Sequence, residues 1–316
     1  MAIYVSGSLA FDRIMTFPGN FQDHILMDKL HQINVSFMVA GMDERRGGCA
    51  GNIAWSLALL GEKPVIVSCA GRDFDSYAKM LRKKGLPMDG IRRDDSLFTA
   101  LGYITTDLNG NQITGFYPGA MATPTDYAFA SLNPEGDLAI VSPGNMADMR
   151  RLPTLFRQAG VPYIYDPGQQ LPLLSADDLL GAIEGSFACI TNDYELKMIC
   201  KTTGKTEQEL LGRTLWLVTT LGAQGALVRG ADGSETHIPA VAPKSVADPT
   251  GAGDAHRAGL IKGLVRGLLM PEAAKFGAVS ASFALECMGT QEHKFTIAQF
   301  KRRYEKAFGP LPTDLP

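Results

Sequence analysis

Short apolar segments, rich in β-branched and aromatic residues, recur along this chain and alternate with longer segments of helical periodicity. One such periodic segment carries Ala258, Ile261, Val265 and Leu268 at the spacing of a single helix face. Strands that alternate with helices favour parallel pairing, with the helices packed on the faces of the sheet. The sequence therefore predicts an α/β fold with a central, mostly parallel sheet. The candidate core strands are Ile3–Val5, Val65–Ser68, Leu138–Val141, Tyr163–Tyr165, Cys189–Thr191 and Leu215–Thr219.

Two regions depart from this pattern and predict additional strands. The residues Ile33, Val35, Phe37 and Val39 alternate with mostly polar neighbours. Further along, two β-rich segments flank an Asn-Gly pair, which suits a tight hairpin turn. They are Thr99–Thr105 and Gln112–Tyr117. These strands predict either a small separate sheet that acts as a lid or extra edge strands of the main sheet.

Composition and charge limit the classes of partner. The chain has 316 residues and a formal net charge of −3, with 30 Lys and Arg mixed among 33 Asp and Glu. Because no basic block is present, neither nucleic acid nor a membrane is expected as a partner. The five cysteines form no Cys-x-x-Cys pair and are expected to be reduced thiols. The segment Met1–Val5 has no features of a signal peptide, so a cytoplasmic protein is expected.

A glycine-rich turn at Asp248–Asp254 leads into a helical pattern. Backbone N–H groups at a helix N-terminus attract anions such as phosphate, and Gly251, Ala252 and Gly253 would supply them. Asp254, just inside the helix, could accept a proton from a hydroxyl that attacks the phosphate. The alternative is a capping carboxylate, which is worth about 0.5–2 kcal/mol. The segment indicates phosphoryl transfer to an alcohol. Taken alone, it favours neither the capping role nor the catalytic role of Asp254 over the other.

Two further positions are suited to binding hydroxyl groups. Gly48 lies in a glycine pair that lets a ligand approach the backbone, and Asn52 can both donate and accept hydrogen bonds. The alternative is a glycine-rich loop in which Asn52 is the N-cap of the next helix. Asp12 follows the first strand, and a carboxylate there can accept two hydrogen bonds from a vicinal diol. The alternative is a solvated loop residue.

Two more segments follow predicted strands and fit a nucleotide. Asn192 and Glu195 lie three residues apart on one side of a helical turn, where they could hold a hydrated Mg²⁺ near phosphates. The alternative is an ordinary helix start with an acidic first turn. The turn Thr220–Gly225 could lie along a nucleotide, or it is a routine hairpin turn.

In this order, from Ile3 to about Thr290, the motifs resemble the ribokinase-like (PfkB) carbohydrate and nucleoside kinases. The specific parts are Asp248–Gly259 and Gly47–Asn52. The resemblance implies a three-layer α/β sandwich with a small β-sheet lid, in which residues 1–316 form one catalytic domain and the lid segments span about 13–46 and 98–122. It also implies ATP as co-substrate, Mg²⁺, a monovalent cation such as K⁺, and a homodimer paired through the lid.

The same resemblance gives each motif a role. Asp254 would be the base for the acceptor hydroxyl, and Gly251–Gly253 would hold the charge that develops on the γ-phosphoryl group. His256 stands where the family usually has Phe, and it adds a titratable group near the site. Asn192 and Glu195 would bind Mg²⁺ through water, and Asp248 and Thr250 would bind the monovalent cation. Asp12, Gly48 and Asn52 would bind the sugar hydroxyls. The residues that would bind ATP are Asn192, Thr220, Gly222, Gly225 and Gly253.

Three segments look most like those of prokaryotic nucleoside kinases, which phosphorylate the 5′-hydroxyl of adenosine and often of other nucleosides. These segments are Tyr117–Ala120, Tyr165–Gln170 and Asp248–Thr250. Gln169 in the second segment is a candidate substrate contact. Phe37, Phe116 and Met121 could cover a base, or they could simply pack the core of the lid.

The leading functional prediction is an ATP-dependent nucleoside kinase. The alternative enzyme is a sugar kinase of the same family that acts on ribose or a fructose-like acceptor. A third hypothesis is a nucleoside- or sugar-binding protein that lacks catalysis, and the presence of Asp254 with the anion-hole glycines argues against it.

Overall fold

The computed structural model describes residues 1–24 and 35–315, which form thirteen strands and nine α-helices. The strands are β1 (Ile3–Ser6), β2 (Ala10–Thr16), β3 (Gly41–Gly47), β4 (Val65–Gly71), β5 (Ile91–Asp94), β6 (Ala100–Thr106), β7 (Gln112–Tyr117), β8 (Leu138–Val141), β9 (Tyr163–Tyr165), β10 (Ser186–Asn192), β11 (Thr214–Thr220), β12 (Ala226–Gly230) and β13 (Glu235–Ile238). The helices are α1 (Cys49–Leu59), α2 (Asp75–Lys83), α3 (Met146–Gln158), α4 (Ala176–Ile183), α5 (Asp193–Thr203), α6 (Glu207–Leu211), α7 (Ala252–Val265), α8 (Met270–Ala284) and α9 (Ile297–Phe308). Within the described residues, no helix combines the length and apolarity that a membrane span requires.

Nine strands form the main sheet in the order β13-β12-β11-β10-β9-β8-β1-β4-β5. Neighbouring strands from β11 to β5 are parallel, and β12 and β13 extend one edge as antiparallel strands. Each of the six predicted core strands lies in this sheet, so the predicted mostly parallel α/β sheet is confirmed.

Helices cover both faces of the main sheet. On one face Val5, Ile140 and Ile190 pack into a core with α1, α2, α7 and α8. On the other face Tyr4 and Val141 pack into a core with α3, α4, α5 and α6. A parallel sheet that is buried on both faces requires continuous apolar strands, which explains the uninterrupted apolar runs in the sequence. The expected three-layer architecture is confirmed.

A second, four-stranded sheet has the order β3-β2-β6-β7. The predicted hairpin is confirmed, because β6 and β7 pair antiparallel around Gly110, whose φ is +80°. In the centre β2 and β6 are parallel, so the small sheet joins two segments that are distant in the sequence.

The alternating segment before residue 40 does not form the strand that its pattern predicts. Val35–Val39 has no regular structure, and Ile33 lies outside the described residues. The edge strand is instead the polar segment Gly41–Gly47, which pairs with β2 while most of its side chains remain exposed. Because neither face of this strand is fully buried, its sequence carries no apolar alternation. Phe37 packs against Phe17, with ring centroids 4.7 Å apart.

The helices α7 and α8 pack unusually closely because glycines face the partner helix. A Cβ atom at Gly259 would overlap the backbone carbonyl of Phe276, and one at Gly277 would lie 2.8 Å from the His256 ring. These contacts fix the position of α7 against α8, and the N-terminus of α7 carries the Gly251–Asp254 motif.

Candidate active site

A cavity of about 480 Å³ lies at the carboxyl ends of the parallel strands of the main sheet. Segments that follow β8, β9 and β11 line it, together with the N-termini of α1, α5 and α7. Open α/β sheets bind ligands at this edge. A larger groove, of about 680 Å³, lies between the segment after β13 and α9, but none of the predicted site residues lines it. The cavity at the sheet edge is therefore the candidate active site.

Asp254 is the third residue of α7 and does not cap it. The N-cap is Gly251, in a left-handed conformation with φ +78°, and it makes no side-chain capping bond. One carboxylate oxygen of Asp254 instead accepts a hydrogen bond from Asn52 Nδ2 at 2.8 Å. Burial raises the pKa of Asp254, while the charge of Arg257 and the hydrogen bond from Asn52 oppose that rise. The carboxylate is thus oriented from α1 and directed to the cavity that it lines.

The first turn of α7 presents backbone donors beside this carboxylate. The N–H of Ala252 donates to the carbonyl of Pro249 at 3.3 Å. The N–H groups of Gly251, Gly253 and Asp254 have no acceptor among the described residues. Such unsatisfied donors carry the positive end of the helix dipole, so the turn can bind an anion.

Asn52 lies in the fourth position of α1 and is buried, so the alternative in which it is the N-cap is wrong. The N-cap is Gly48, whose φ of +87° favours glycine, and a Cβ atom there would collide with backbone atoms of Ser8 and Ala10. The amide oxygen of Asn52 accepts a hydrogen bond from Gln291 Nε2 at 2.9 Å. The amide of Asn52 is therefore held at both ends and connects α1 to α7.

Asp12 lies in the small sheet, in a notch between two glycines. An ideal Cβ atom at either Gly47 or Gly102 would lie 2.8 Å from a carboxylate oxygen of Asp12. The carboxylate makes no hydrogen bond to any described residue, and burial raises its pKa. The strand register places Asp12 opposite Gly102 and Gly102 opposite Phe116, so Asp12 and Phe116 share a face of the sheet.

Asn192 and Glu195 form a capping box at the start of α5. The Asn192 side chain accepts from the N–H of Glu195 at 2.7 Å, and Glu195 Oε2 accepts from the N–H of Asn192 at 2.8 Å. Both residues also line the cavity. Within residues 1–24 and 35–315, no group of three or more His, Cys, Asp or Glu is arranged to hold a metal ion. A Mg²⁺ ion that binds through phosphates and water needs only one or two carboxylates.

The end of β11 and the turn after it contribute two of the three residues predicted there to the cavity. Thr220 and Gly222 line it. Gly225 does not, and its φ of +95° and its close approach to the Ile238 carbonyl give it a role in the hairpin itself.

Three of the residues predicted to contact the substrate are dispersed. Phe116 is 55% exposed on β7, whereas Met121 is buried in a small cluster with Ala10 and Ala100. Gln169 lines the cavity, with Nε2 3.5 Å from the sulfur of Cys49.

Asp248 organises the loop that precedes α7. Its two carboxylate oxygens accept the backbone N–H groups of Thr250 and Gly289, each at 2.9 Å. Burial would raise the pKa of Asp248, but these hydrogen bonds outweigh it and the pKa is lowered. Neither Asp248 nor Thr250 lines the cavity.

An ion pair at the base of the cavity was not among the predicted site residues. Arg257 Nε lies 2.5 Å from one carboxylate oxygen of Asp166, and Nη2 donates to the other at 2.7 Å. Burial raises the pKa of Asp166 to about 7, against the opposing charge of Arg257. Two features of the sequence could have identified this pair. Arg257 lies one helical turn after Asp254, and Asp166 directly follows a predicted strand.

His256 does not face the cavity, contrary to the expectation of a titratable group near the site. Its ring packs against Gly277 of α8, and neither ring nitrogen has a partner among the described residues. Burial, with a smaller effect of Arg257, lowers the pKa of His256 to about 4. It is a neutral part of the helix interface.

Unsatisfied N–H groups at the start of a helix beside a carboxylate, at the edge of a parallel sheet, are typical of α/β phosphotransferases. The chain belongs to the pfkB family carbohydrate kinases, whose family model matches residues 19–296. The resemblance inferred from the motifs is therefore confirmed at the level of the family.

Within that family the chain is similar to nucleoside kinases. A nucleoside kinase of Methanocaldococcus jannaschii is 29% identical over 284 residues, which covers 89% of this chain and 92% of that protein. A nucleoside kinase of Methanothermobacter thermautotrophicus is 28% identical over an alignment that covers 92% of this chain and 94% of that protein. The structure of Burkholderia thailandensis nucleoside kinase in complex with inosine superposes with a TM-score of 0.88 at 37% identity and covers 99% of both chains.

Proposed function

We propose that this protein is an ATP-dependent nucleoside kinase that transfers the γ-phosphoryl group to the 5′-hydroxyl of a ribonucleoside. The observation that carries the proposal is the position of Asp254, which lies in the cavity beside the unsatisfied N–H groups of Gly251 and Gly253. Phosphoryl transfer to an alcohol requires a base for the hydroxyl proton beside a site that binds the phosphoryl group.

In this mechanism Asp254 accepts the proton of the attacking hydroxyl while Asn52 holds the carboxylate in place. The N–H groups at the start of α7 stabilise charge on the transferring group. Thr220, Gly222 and Asn192 line the cavity where ATP would extend away from that centre.

Glu195 is the residue best suited to Mg²⁺. One of its carboxylate oxygens is used in the capping box, and the other has no hydrogen-bond partner among the described residues. When bound, Mg²⁺ would neutralise charge on the β- and γ-phosphates. For a monovalent cation we propose the loop of Asp248 and Thr250, tested by comparing turnover in potassium and choline salts.

A nucleoside is favoured over a free sugar for two reasons. The similar Burkholderia thailandensis protein binds inosine in its structure. In addition, Asp12 and Phe116 lie on the same face of the small sheet, each opposite Gly102 on the strand between them. The carboxylate could accept hydrogen bonds from ribose hydroxyls, and the aromatic ring could stack on a base. We propose adenosine and inosine as the first acceptors to test.

The test is ADP release with adenosine, inosine, other nucleosides, ribose and fructose, together with 5′-deoxyadenosine as a matched control. Nucleosides should turn over to 5′-monophosphates, and 5′-deoxyadenosine should bind without accepting phosphate because it lacks the acceptor hydroxyl. Turnover with free sugars alone would instead identify a sugar kinase. Tight nucleoside binding without any transfer would identify a non-catalytic binding protein.

We further propose that the small sheet acts as a lid and as the surface of a homodimer. Closure of a lid would exclude water, which otherwise competes for the phosphoryl group. The face opposite Asp12 carries the exposed residues Tyr103 and Ile113, the latter 48% exposed, and pairing of two copies would cover them. Equal hydrogen exchange in β7 with and without nucleoside would argue against closure.

A further inference from the structure

Arg257 is the only cationic side chain among the described residues that line the cavity. Four carboxylates line the same space, and they belong to Asp166, Asp193, Glu195 and Asp254. A site that binds a triphosphate among four carboxylates requires positive charge near the phosphates. Apart from a metal ion and the N–H groups at the start of α7, Arg257 is the source of positive charge among the described residues that line the cavity.

The guanidinium of Arg257 is fixed along one edge and open along the other. Its Nε and Nη2 atoms face the two oxygens of Asp166. Its Nη1 atom makes no hydrogen bond to any described residue and lies 2.7 Å from where a Cβ atom of Gly253 would be. Because the planar guanidinium is held by a buried carboxylate, Nη1 cannot turn away from the first turn of α7.

We propose that Arg257 is a further catalytic residue, whose Nη1 donates to the transferring phosphoryl group beside the N–H of Gly253. This proposal rests on the proposed kinase function. Asp166 is then a positioning residue, because it acts only through the orientation of Arg257. The absence of a side chain at Gly253 leaves room for the guanidinium beside the helix start.

The reaction places charge where this donor lies. As the bond between the 5′-oxygen and the γ-phosphorus forms, the bond from that phosphorus to the β–γ bridging oxygen breaks, and ADP leaves with the electron pair. The hydroxyl proton goes to Asp254. A fixed donor makes a stronger hydrogen bond to the equatorial oxygens of the γ-phosphoryl group in the transition state than it does in bound ATP. Arg257 therefore contributes charge and hydrogen bonds, and no covalent bond.

The test is Arg257→Met, measured by kcat at saturating ATP and nucleoside and by the Kd for nucleoside. The expected result is a kcat that is about 10²–10³-fold lower with an unchanged Kd, as for the loss of one transition-state donor. Added guanidinium ion should restore part of kcat in Arg257→Ala. Lys262→Met is the matched control, because it removes another buried cation of α7, which pairs with Glu62 outside the cavity. Its kcat should match the wild type with or without guanidinium.

Other outcomes separate the alternatives. A wild-type protein that phosphorylates no nucleoside refutes the proposed function itself, whereas an active wild type with an unimpaired Arg257→Met variant overturns only this inference. A kcat that recovers at alkaline pH would mean that Arg257 merely favours ionised Asp254, and the contact with phosphoryl would be wrong. If the single variant does not fold, the double variant Asp166→Asn, Arg257→Met removes both buried charges and must show the same loss.

Discussion

The hydrogen bond from Asn52 to Asp254 makes a quantitative prediction about pH. Asn52 Nδ2 donates to Asp254 Oδ2 at 2.8 Å from within the buried face of α1. The substitution Asn52→Leu keeps the size of the side chain and removes the donor. Gln291 loses one acceptor but keeps its contact with the hydroxyl of Tyr77. The main change is therefore to the carboxylate of Asp254.

The direction and size of the effect follow from the bond. A hydrogen bond to a charged group contributes about 1.5–3 kcal/mol, and one pH unit corresponds to about 1.4 kcal/mol. Because the donated bond favours the ionised form, its loss raises the pKa of Asp254. A base is active when ionised, so activity is present above this pKa and is lost as the pH falls through it. The acidic limb of the kcat profile should move upward by about one to two pH units.

The assay is ADP formation at saturating ATP and nucleoside, quantified by chromatography across the acidic and neutral range at constant ionic strength. Saturation separates the pH effect from any change in nucleoside affinity. Asn133→Leu is the control, because Asn133 caps a surface turn through the N–H of Glu135 and lies outside the cavity. An acidic limb that stays in place, or that moves to lower pH, would refute the reasoning.

Four further predictions test other parts of the site. Asp254→Asn should lower kcat about 10²–10⁴-fold while calorimetry still detects nucleoside binding, and a near-normal kcat would contradict the base role. Removal of Mg²⁺ by EDTA should stop ADP release and its return should restore it; turnover that persists in EDTA would contradict the metal requirement. Gly48→Ala should lower the free energy of unfolding in urea by about 1–3 kcal/mol, because φ is +87° there, and an unchanged midpoint would contradict this strain. Ile113→Lys should convert a dimer to a monomer in light scattering, and a dimer that survives would exclude this face.

Local patterns were sufficient for most of the fold. The segment Leu138–Val141 is apolar at every position, which is typical of a strand buried on both faces of a parallel sheet. The hairpin around Gly110 followed from turn chemistry. The strand Gly41–Gly47 could not be predicted in this way, because an edge strand with exposed side chains needs no apolar periodicity and is held by pairing with β2.

The site was predictable where its residues lie close together in the sequence. Gly251–Asp254 is one turn of one helix, and its geometry is local. The hydrogen-bond partners of Asn52 are 202 and 239 residues away in the sequence. The residues near Asn52 therefore could not show whether it caps a helix or connects α1 to α7. The same holds for Arg257 and Asp166, which are 91 residues apart. For His256 the decisive neighbour is Gly277, on another helix.

The close contact of α7 with α8 has a consequence for how the protein can acquire new acceptors. Because Gly259 and Gly277 leave no space between the helices, almost any larger residue there would displace the end of α7 that carries Asp254. Residues 14–16 of β2 and all of β7, in contrast, are half-buried or exposed. Randomised libraries that aim to broaden acceptor range should therefore vary residues 14–16 and 112–117 and leave residues 256–277 unchanged. Under the proposed assignment of roles, acceptor specificity can change in the small sheet while the start of α7 stays unchanged.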